Sequence, residues 1–181
     1  IKSLRASDPD AGLYYLVRML ASGEDPLFVA RRLLIFASED VGNADPQALP
    51  LALSTHQAVE RLGMPEARIP LAQATTYLAC VPKSNAAYAA LGRAEAAVER
   101  TGSVPVPLHL RNAPTDLTRE LGYGKGYAYP HDQPDAFVAR RNRPDSVANE
   151  AWYQPTQRGA EKAIADQLAQ WRARQDRESK G

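Results

Sequence analysis

Five stretches of the chain repeat apolar side chains three or four positions apart, and each stretch is closed by a glycine or a proline. That spacing puts the apolar groups on one face of an α-helix, and glycine and proline end helices. No stretch alternates apolar and polar residues for long enough to predict a strand. The predicted helices cover about 8–23, 25–37, 45–63, 71–82 and 84–102.

The predicted fold class is all-α: a helical bundle of about five core helices, with a long Pro/Gly-rich ordered loop and a C-terminal amphipathic helix. The 181 residues are enough for one compact domain with a buried core. We predict a core bundle at 1–103, a loop with short helices packed on it at 104–155, and a C-terminal helix at 156–181. The absence of an initial Met, with a helical pattern close behind, suggests a piece of a longer protein.

Aspartate precedes proline at three predicted helix starts, Asp8, Asp25 and Asp45. Its side chain can accept hydrogen bonds from the first turn of a helix, where proline is tolerated, so these residues are predicted caps. The run 33–37 is apolar on every face and predicts that its helix lies at the centre of the core. The predicted buried faces of later helices include Leu49, Leu53, Ala58, Val59 and Leu62, then Leu91, Ala97 and Val98.

The stretch 105–131 is too long, and too rich in glycine, proline, tyrosine and basic residues, to be a passive linker. Its first prolines predict an extended strap at 104–110. Thr115 or Asp116 is predicted to cap a short helix that Gly122 ends in a left-handed conformation. Beyond it, the patterns predict a brief helix at 136–140, an extended loop at 142–155 and a final helix from Thr156 to about Arg177.

Gly122, Gly124 and Gly126 invite comparison with nucleotide-binding loops. A dinucleotide fingerprint needs glycine where Tyr127 stands, and a phosphate loop needs serine or threonine two positions after its last glycine, following a lysine. Neither pattern is met, since Lys125 is followed by glycine. The favoured interpretation is a tight irregular turn in which the glycines take positive φ.

The composition excludes several classes of site. The net charge of +1 gives no whole-molecule attraction to nucleic acid or membrane, although 100–143 carry seven basic and four acidic side chains, a net charge of +3. That local excess is a weak sign of an anion-facing surface, and ordinary surface variation explains it equally well. The lone Cys80 excludes an internal disulfide, and His56, His109 and His131 lack zinc-ligand spacing. With no membrane span or signal-peptide pattern, we expect a reducing cytoplasm.

Tyrosines interleaved with basic side chains make the loop region a candidate surface for DNA or for a protein partner. Positive charge can follow a phosphate backbone while aromatic rings stack on bases, and protein interfaces use the same residue types. The sequence does not choose between the two. The candidate residues are Arg111, Asn112, Arg119, Tyr123, Lys125, Tyr127 and Arg140, with Arg141 and Arg143 nearby.

His109 and Arg111 form a second candidate, an anion-holding loop, because an extended strap would place both on one face. The alternative use of His109 is to fix loop backbone. A small hydrolase that uses His109 is the weakest hypothesis, since no nucleophile or partner acid can be placed beside it. No catalytic, cofactor-binding or metal-binding residue is predicted for this chain.

Long phrases of the sequence form a recognisable series: SDPDA at 7–11, FASEDVGNADP at 36–46, RIPLAQA at 68–74, PKSN at 82–85, and the stretch 105–127. Together they resemble the C-terminal region of the replication-associated recombination protein A family. That family is also called MgsA in bacteria and is related to the Werner-helicase-interacting protein of eukaryotes. The resemblance covers nearly all of the chain and is weakest after about residue 144.

The family consists of AAA+ ATPases of the clamp-loader group, so the resemblance implies an N-terminal module that binds ATP and Mg²⁺ in a longer protein. It also implies that this region assembles the subunits as a homotetramer. The parent protein would act at replication forks near the nucleoid, with DNA and single-stranded DNA-binding protein as partners. The phosphate loop, the Mg²⁺-binding motif and the arginine finger would lie outside this chain. The alternative is a stand-alone single-stranded nucleic-acid or protein-binding helical module.

Overall fold

The five predicted core helices all form, and shorter or later helices accompany them. The structure, a computed structural model, describes residues 1–178, which contain eight α-helices and no strand. The predicted all-α class is therefore confirmed. The helices are α1 (Lys2–Arg5), α2 (Pro9–Ala21), α3 (Pro26–Phe36), α4 (Ala48–Leu62), α5 (Arg68–Cys80), α6 (Ala86–Thr101), α7 (Asp116–Glu120) and α8 (Glu161–Glu178).

The chain divides into two compact units. The first comprises Ile1–Leu91 and Tyr153–Ala165, and the second comprises Gly92–Trp152 and the chain from Asp166 onward. Helices α6 and α8 each contribute residues to both units. The three-part division made from the sequence, with boundaries at 103 and 155, stays a prediction.

Two of the three Asp-Pro starts are helix caps as predicted. Asp8 Oδ1 accepts from the N–H of Ala11 at 2.9 Å, and the Asp25 carboxylate accepts from two N–H groups of the first turn of α3. Asp45 differs, because α4 begins only at Ala48. One Asp45 oxygen accepts from the N–H of residue 47, and the other accepts from the Tyr77 hydroxyl at 2.5 Å. Asp45 therefore closes a turn that precedes the helix, and the predicted helix start at residue 46 is wrong.

The core of the first unit is formed mainly by α3 and α5: α3 packs against α4 and α5, and α5 also packs against α1, α2 and α4. Leu33 and Phe36 of α3 are buried, as are Leu71 and Leu78 of α5. Burial of each such side chain stabilises the fold by about 1.5–3 kcal/mol. Helix α3 therefore contributes to the core as predicted, but α5 is the more central helix, and Ile35 in the apolar run of α3 is 46% exposed.

The buried face predicted for α4 is only partly correct, because Val59 is buried but Leu49, Leu53 and Leu62 are exposed. Ala48 and Ala52 have no exposed surface, and Val59 is also buried. Leu49 and Leu53 are 45% and 48% exposed. Alanine at a helix contact lets the helix axes approach closely. The prediction assigned Leu49 and Leu53, which are large and apolar, to the buried face, whereas the structure buries the neighbouring alanines.

The apolar stripe predicted for α6 is only partly buried. Ala97 is buried, whereas Leu91 and Val98 are 55% and 62% exposed. Leu62, at the end of α4, is 55% exposed as well. These larger side chains belong to the surface and not to the core.

A buried carboxylate ties the beginning of α8 to the rest of the first unit. Glu161 has no exposed surface and accepts hydrogen bonds from the Tyr153 hydroxyl at 2.8 Å and from the Thr156 N–H and hydroxyl at 3.0 and 2.6 Å. The Ser84 hydroxyl also donates to it. Burial raises the pKa of Glu161, but hydrogen bonds to the charged form outweigh it, so the pKa lies below its ordinary value.

The network extends to the turn that follows α3, where the Asn43 amide donates to the Tyr153 hydroxyl at 2.9 Å. In the main chain, the Ala160 N–H donates to the Ala44 carbonyl at 2.8 Å. Segment 153–161 is thereby fastened to the turns after α3 and α5. We name the side chains of this network the Glu161 clasp: Asn43, Ser84, Tyr153, Thr156 and Glu161.

Two local predictions in the tail are wrong. The predicted helix at 136–140 is absent, because a 3₁₀ turn at Pro134–Ala136 leads directly into extended backbone. Helix α8 begins later than the predicted Thr156, whose N–H and hydroxyl are bound to the Glu161 carboxylate. The last part of the predicted C-terminal helix, 179–181, lies outside the described residues.

Glu161→Gln is expected to lower the free energy of unfolding by about 1.5–3 kcal/mol at pH 7. A hydrogen bond to a charged acceptor contributes about 1.5–3 kcal/mol, and an amide nitrogen would face donors that the carboxylate accepts. Urea denaturation measures the loss. Glu95→Gln, at an exposed carboxylate of α6, is the matched control and should change stability by less than about 0.5 kcal/mol.

The effect of Glu161→Gln should depend on pH. Because folding lowers the pKa of Glu161, its stabilising contribution is complete above the unfolded pKa and is lost as the pH falls through the folded pKa. The difference between the wild-type chain and the variant should therefore shrink in the acid range. A difference that stayed constant from neutral to acid pH would contradict this account.

Gly159→Ala is expected to destabilise the first unit more than Gly63→Ala does. Both glycines have positive φ, +51° and +68°, which costs a residue with a Cβ about 1–2 kcal/mol. At Gly159 the added methyl would also collide with the Ala44 carbonyl, whereas nothing lies within 4 Å at Gly63. Thermal denaturation of both variants tests this, and equal losses would rule out the collision.

Candidate functional site

The strap at the start of the loop in the second unit is interrupted by a 3₁₀ turn at Leu108–Leu110. The predicted extended strap over 104–110 is therefore wrong in its last part. The Gly124 N–H donates to the Leu108 carbonyl at 2.8 Å and closes the loop on itself. This closure brings the glycine-rich segment against the strap and sets the positions of the side chains between them.

The glycine-rich segment is a tight turn, as predicted. Thr115 caps α7 with a capping box, and Gly122 follows that helix at φ +83°. Gly124 and Gly126 also take positive φ, at +72° and +77°. The segment neither follows a strand nor opens a helix, so it lacks the geometry of a nucleotide-binding loop.

Arg111 holds the loop together from within. Its Nε donates to the Val106 carbonyl at 2.6 Å, and its Nη1 donates to the Tyr123 hydroxyl at 3.2 Å. The guanidinium also lies 4.9 Å from the centre of the Tyr123 ring. Arg111 and Tyr123, two candidates for the DNA or partner surface, are thus engaged in internal contacts.

His109 points into the same unit but does not share a site with Arg111. It is only 8% exposed, and its Nε2 lies 3.1 Å from Asn142 Oδ1. The side-chain amide of Asn142, and not loop backbone, is its recorded partner. The 3₁₀ turn at Leu108–Leu110 removes the alternation that would have placed His109 and Arg111 on one face.

A cleft of about 480 Å³ in the second unit gathers four cations around His109. Asp145 is the one acidic side chain in its lining. We name this cleft the basic cleft; it is lined by Pro107, Leu108, His109, Gly122, Lys125, Arg140, Arg141, Arg143 and Asp145. Its charge makes it suited to an anion.

Two arginines of the basic cleft are fixed by neighbouring groups. Arg141 pairs with Asp176 at 2.5 Å and donates to Asn149. Arg143 donates to the carbonyl groups of Ala148 and Glu150. Burial lowers the pKa of Arg143, and the nearby positive charge of Arg141 lowers it further. The positive charges of Arg141 and Arg143 therefore repel each other, and an anion bound in the basic cleft would reduce this repulsion.

The remaining candidates of the loop stand apart from the cleft. Arg119 pairs with Asp116 one helical turn away at 2.5 Å, and both side chains are exposed. Asn112 and Tyr127 are exposed and do not line the cleft. Of the candidate DNA or partner surface, the structure brings only Lys125 and Arg140 together in one cavity, with His109 from the second candidate.

A second surface, in the first unit, was missed by the sequence reasoning. A groove of about 590 Å³ runs between the end of α3, α4 and α6. Its exposed apolar side chains are 45–57% accessible: Ile35, Leu49, Tyr88 and Leu91. We name it the apolar groove; it is lined by Leu34, Ile35, Ser38, Glu39, Leu49, Ala87, Tyr88 and Leu91. The large apolar residues that the sequence analysis assigned to the core were the signal from which this groove could have been found.

Within residues 1–178, no group of three or more His, Cys, Asp or Glu side chains is arranged to hold a metal ion. None of the helices in this described range is long and apolar enough to cross a membrane. The basic cleft and the apolar groove, one in each unit, are the two features on which the proposed function rests.

The sequence matches the family described as MgsA AAA+ ATPase C terminal over residues 6–172. The chain belongs to this family. The resemblance seen in the sequence is confirmed, and the match spans most of both units, including the whole loop and the Glu161 clasp.

Relatives of this MgsA C-terminal chain carry names from DNA metabolism. It is 51% identical over 172 residues to the replication-associated recombination protein A of Coxiella burnetii, covering 94% of this chain and 39% of the relative. It is 48% identical over 179 residues to the protein of that name in Escherichia coli K12, covering 98% and 40%. A Dictyostelium discoideum protein named ATPase WRNIP1 is 42% identical over 154 residues, covering 84% and 18%. The chain thus spans about two fifths of the bacterial relatives.

Arg111→Lys is expected to lower the melting temperature of the chain by several degrees, because lysine cannot reach both the Val106 carbonyl and the Tyr123 hydroxyl in a planar fork. Arg119→Lys, at an exposed pair that contributes little, is the matched control. Thermal denaturation followed by circular dichroism measures both. Equal melting temperatures for the two variants would show that Arg111 does not hold the loop.

Proposed function

We propose that this chain is the C-terminal assembly and scaffold domain of an AAA+ ATPase that maintains replication forks and acts in recombination. In this role it holds copies of the ATPase module together as a homotetramer. The family match and the names of the relatives support the proposed identity of the longer protein as an AAA+ ATPase of replication and recombination. The single observation that supports assembly is the apolar groove.

The apolar groove has the composition of a protein interface. Ile35, Leu49 and Leu91 present aliphatic side chains that the first unit leaves about half exposed, and Tyr88 is 57% exposed. Exposed apolar patches of this kind mark interaction sites, and tyrosine is enriched in them. Association of such faces is favourable because each Å² of apolar surface that becomes buried contributes about 25 cal/mol of free energy.

A second copy of the chain is the occupant that fits the groove. A face that pairs with itself about a twofold axis repeats the same side chains on both sides, and two such interfaces give a tetramer. Glu39 is the acidic side chain at the rim, and Arg5 is bound to it at 3.1 Å. Arg5 also pairs with Asp40 at 2.7 Å, so it reduces the negative charge at the rim and the repulsion between two copies there.

The remaining functions belong to the parent protein. ATP and Mg²⁺ would bind to the N-terminal module outside this chain, which itself carries no cofactor and no catalytic residue. DNA and single-stranded DNA-binding protein would be its partners in the cytoplasm, at the nucleoid, with no membrane attachment. The C-terminal chain would contribute assembly and a contact with DNA or with a replication partner.

The alternative function is a stand-alone module that binds single-stranded nucleic acid or a protein. The basic cleft favours it, since four cations line one cavity. The two functions differ in a simple observable: a scaffold assembles without nucleic acid, whereas a stand-alone module binds as a monomer.

Light scattering on the isolated chain should give a mass of about four times its 19.8 kDa at roughly tens of micromolar. Leu49→Glu combined with Leu91→Glu should reduce that mass to about half or less, because four introduced charges would be buried at each pair of grooves. A wild-type chain that is strictly monomeric at these concentrations would refute the assembly role.

The matched control replaces two exposed apolar side chains outside the groove. Leu117 and Leu121, in and beside α7, are 65% and 57% exposed. Leu117→Glu combined with Leu121→Glu adds the same charge and should leave the assembled mass unchanged. If this control also dissociates the assembly, the apolar groove is not the specific interface.

A further inference from the structure

The basic cleft contains positive charge that the described residues do not neutralise. Lys125 is exposed and has no ion-pair partner among residues 1–178. Arg140 donates to the carbonyl of Gly126 at 3.0 Å and pairs with no carboxylate in that range. Arg143 donates to carbonyl oxygens and lies over the Trp152 ring at 5.7 Å, and it forms no ion pair among residues 1–178. These three cations face a cavity whose lining includes a single acid, Asp145.

The geometry of the cations suits phosphate oxygens. Guanidinium groups bind phosphate through paired N–H donors, and a lysine ammonium adds a compact charge. Arg141 and Arg143 are held in place by neighbouring groups, so little conformational entropy is lost when an anion enters. His109 adds a ring nitrogen at the wall, and its Nε2 is bound to Asn142.

Two exposed tyrosines come shortly after Lys125 of the basic cleft in the sequence. Tyr127 and Tyr129 come two and four residues after Lys125, and they are 54% and 53% exposed. The Tyr129 ring lies 5.1 Å from the ring of His131, so the two form a short aromatic platform. Arg140 anchors the intervening backbone at Gly126, which fixes the tyrosines relative to the cleft. Unpaired bases stack on such rings, at about 1–3 kcal/mol for each base.

We propose that the basic cleft holds phosphate groups of a single-stranded nucleic acid while Tyr127 and Tyr129 stack on its bases. Lys125 and Arg140 contact the phosphates, and Arg141 and Arg143 supply the surrounding positive potential. This site deepens the DNA contact of the proposed function and rests on it, but it does not depend on assembly. The residues are those of the second unit alone.

An acidic peptide is the competing ligand, and the cleft suits it less well. Tight peptide sites contain apolar pockets that bury an anchoring side chain. The aliphatic side chains in the lining are those of Pro107 and Leu108, and the rest is polar or charged apart from a glycine. Stacking on the exposed rings also requires flat bases, which a polyglutamate chain does not offer.

The test is fluorescence anisotropy of a labelled oligothymidylate over a series of salt concentrations, using the whole chain. Lys125→Ala combined with Arg140→Ala should weaken binding and reduce the slope of log K against log salt by about 1.4, since each phosphate contact on a single strand contributes about 0.7. Tyr127→Ala combined with Tyr129→Ala should weaken binding by about 30-fold or more and leave the slope unchanged.

A control with the same change in charge separates the cleft from the overall charge of the chain. Arg31→Ala combined with Arg119→Ala removes two arginines that are paired with Asp25 and Asp116 outside the cleft. This control should lower the slope by much less than the cleft variant does. Equal slopes for the two double variants would overturn the proposal.

Two competitors identify the ligand. Inorganic pyrophosphate tests for a free phosphate: if it displaces the oligonucleotide at equal concentration and the tyrosine variant binds normally, the site holds small phosphates and the stacking proposal is wrong. Polyglutamate tests for an acidic peptide: if it binds more tightly than the oligonucleotide, the nucleic-acid assignment is wrong. Weak displacement by both supports the proposal.

Folding and assembly are measured on the same preparations. Arg140 contacts loop backbone, so Lys125→Ala alone serves as a second variant, because the exposed Lys125 side chain forms no ion pair within residues 1–178. This variant should reduce the slope by about 0.7. An unchanged slope in that variant would overturn the role of Lys125. Light scattering reports assembly separately, so a tetramer that fails to bind the oligonucleotide refutes the cleft and leaves the scaffold role standing.

Discussion

The buried carboxylate of Glu161 is the interaction on which the first unit most depends. A charge with no solvent contact is costly unless donors surround it, and here hydroxyl groups of Ser84, Tyr153 and Thr156 and one N–H group do so. These donors come from the turn after α5 and from the segment before α8. The side chain of one residue therefore joins parts of the chain that are far apart in sequence, and it sets where α8 begins.

Much of the fold was predictable because it depends on local sequence signals. Helical spacing and Asp-Pro starts predicted the five core helices, and a cap at Thr115 or Asp116 followed by Gly122 predicted α7. The errors came from contacts between distant residues. Asp45 could not be recognised as a turn residue without its partner Tyr77, and the outward face of α4 could not be recognised without the helices that pack on its alanines. Sequence spacing carries no information about such partners.

The candidate site was likewise predicted only in part, because some of its residues line the basic cleft and others make contacts inside the loop. Lys125 and Arg140 were singled out for their charge, and the loop geometry places them at one cleft. Arg111 was singled out for the same reason, yet its donors are directed to Val106 and Tyr123 inside the loop. Charge in a sequence identifies which side chains could bind an anion. Only the hydrogen bonds of the folded loop decide which of them remain available to do so.

Helix α4 buries Ala48 and Ala52 and exposes Leu49 and Leu53. Exposed apolar side chains of this kind affect how the protein behaves in the cell. In the proposed assembly, a newly made copy would expose Leu49 and Leu91 until another copy covers the apolar groove. During that interval it would be prone to adhere to other proteins and to be recognised by chaperones and proteases. The abundance of such a protein would then be governed by how quickly copies meet, and surplus copies would be removed.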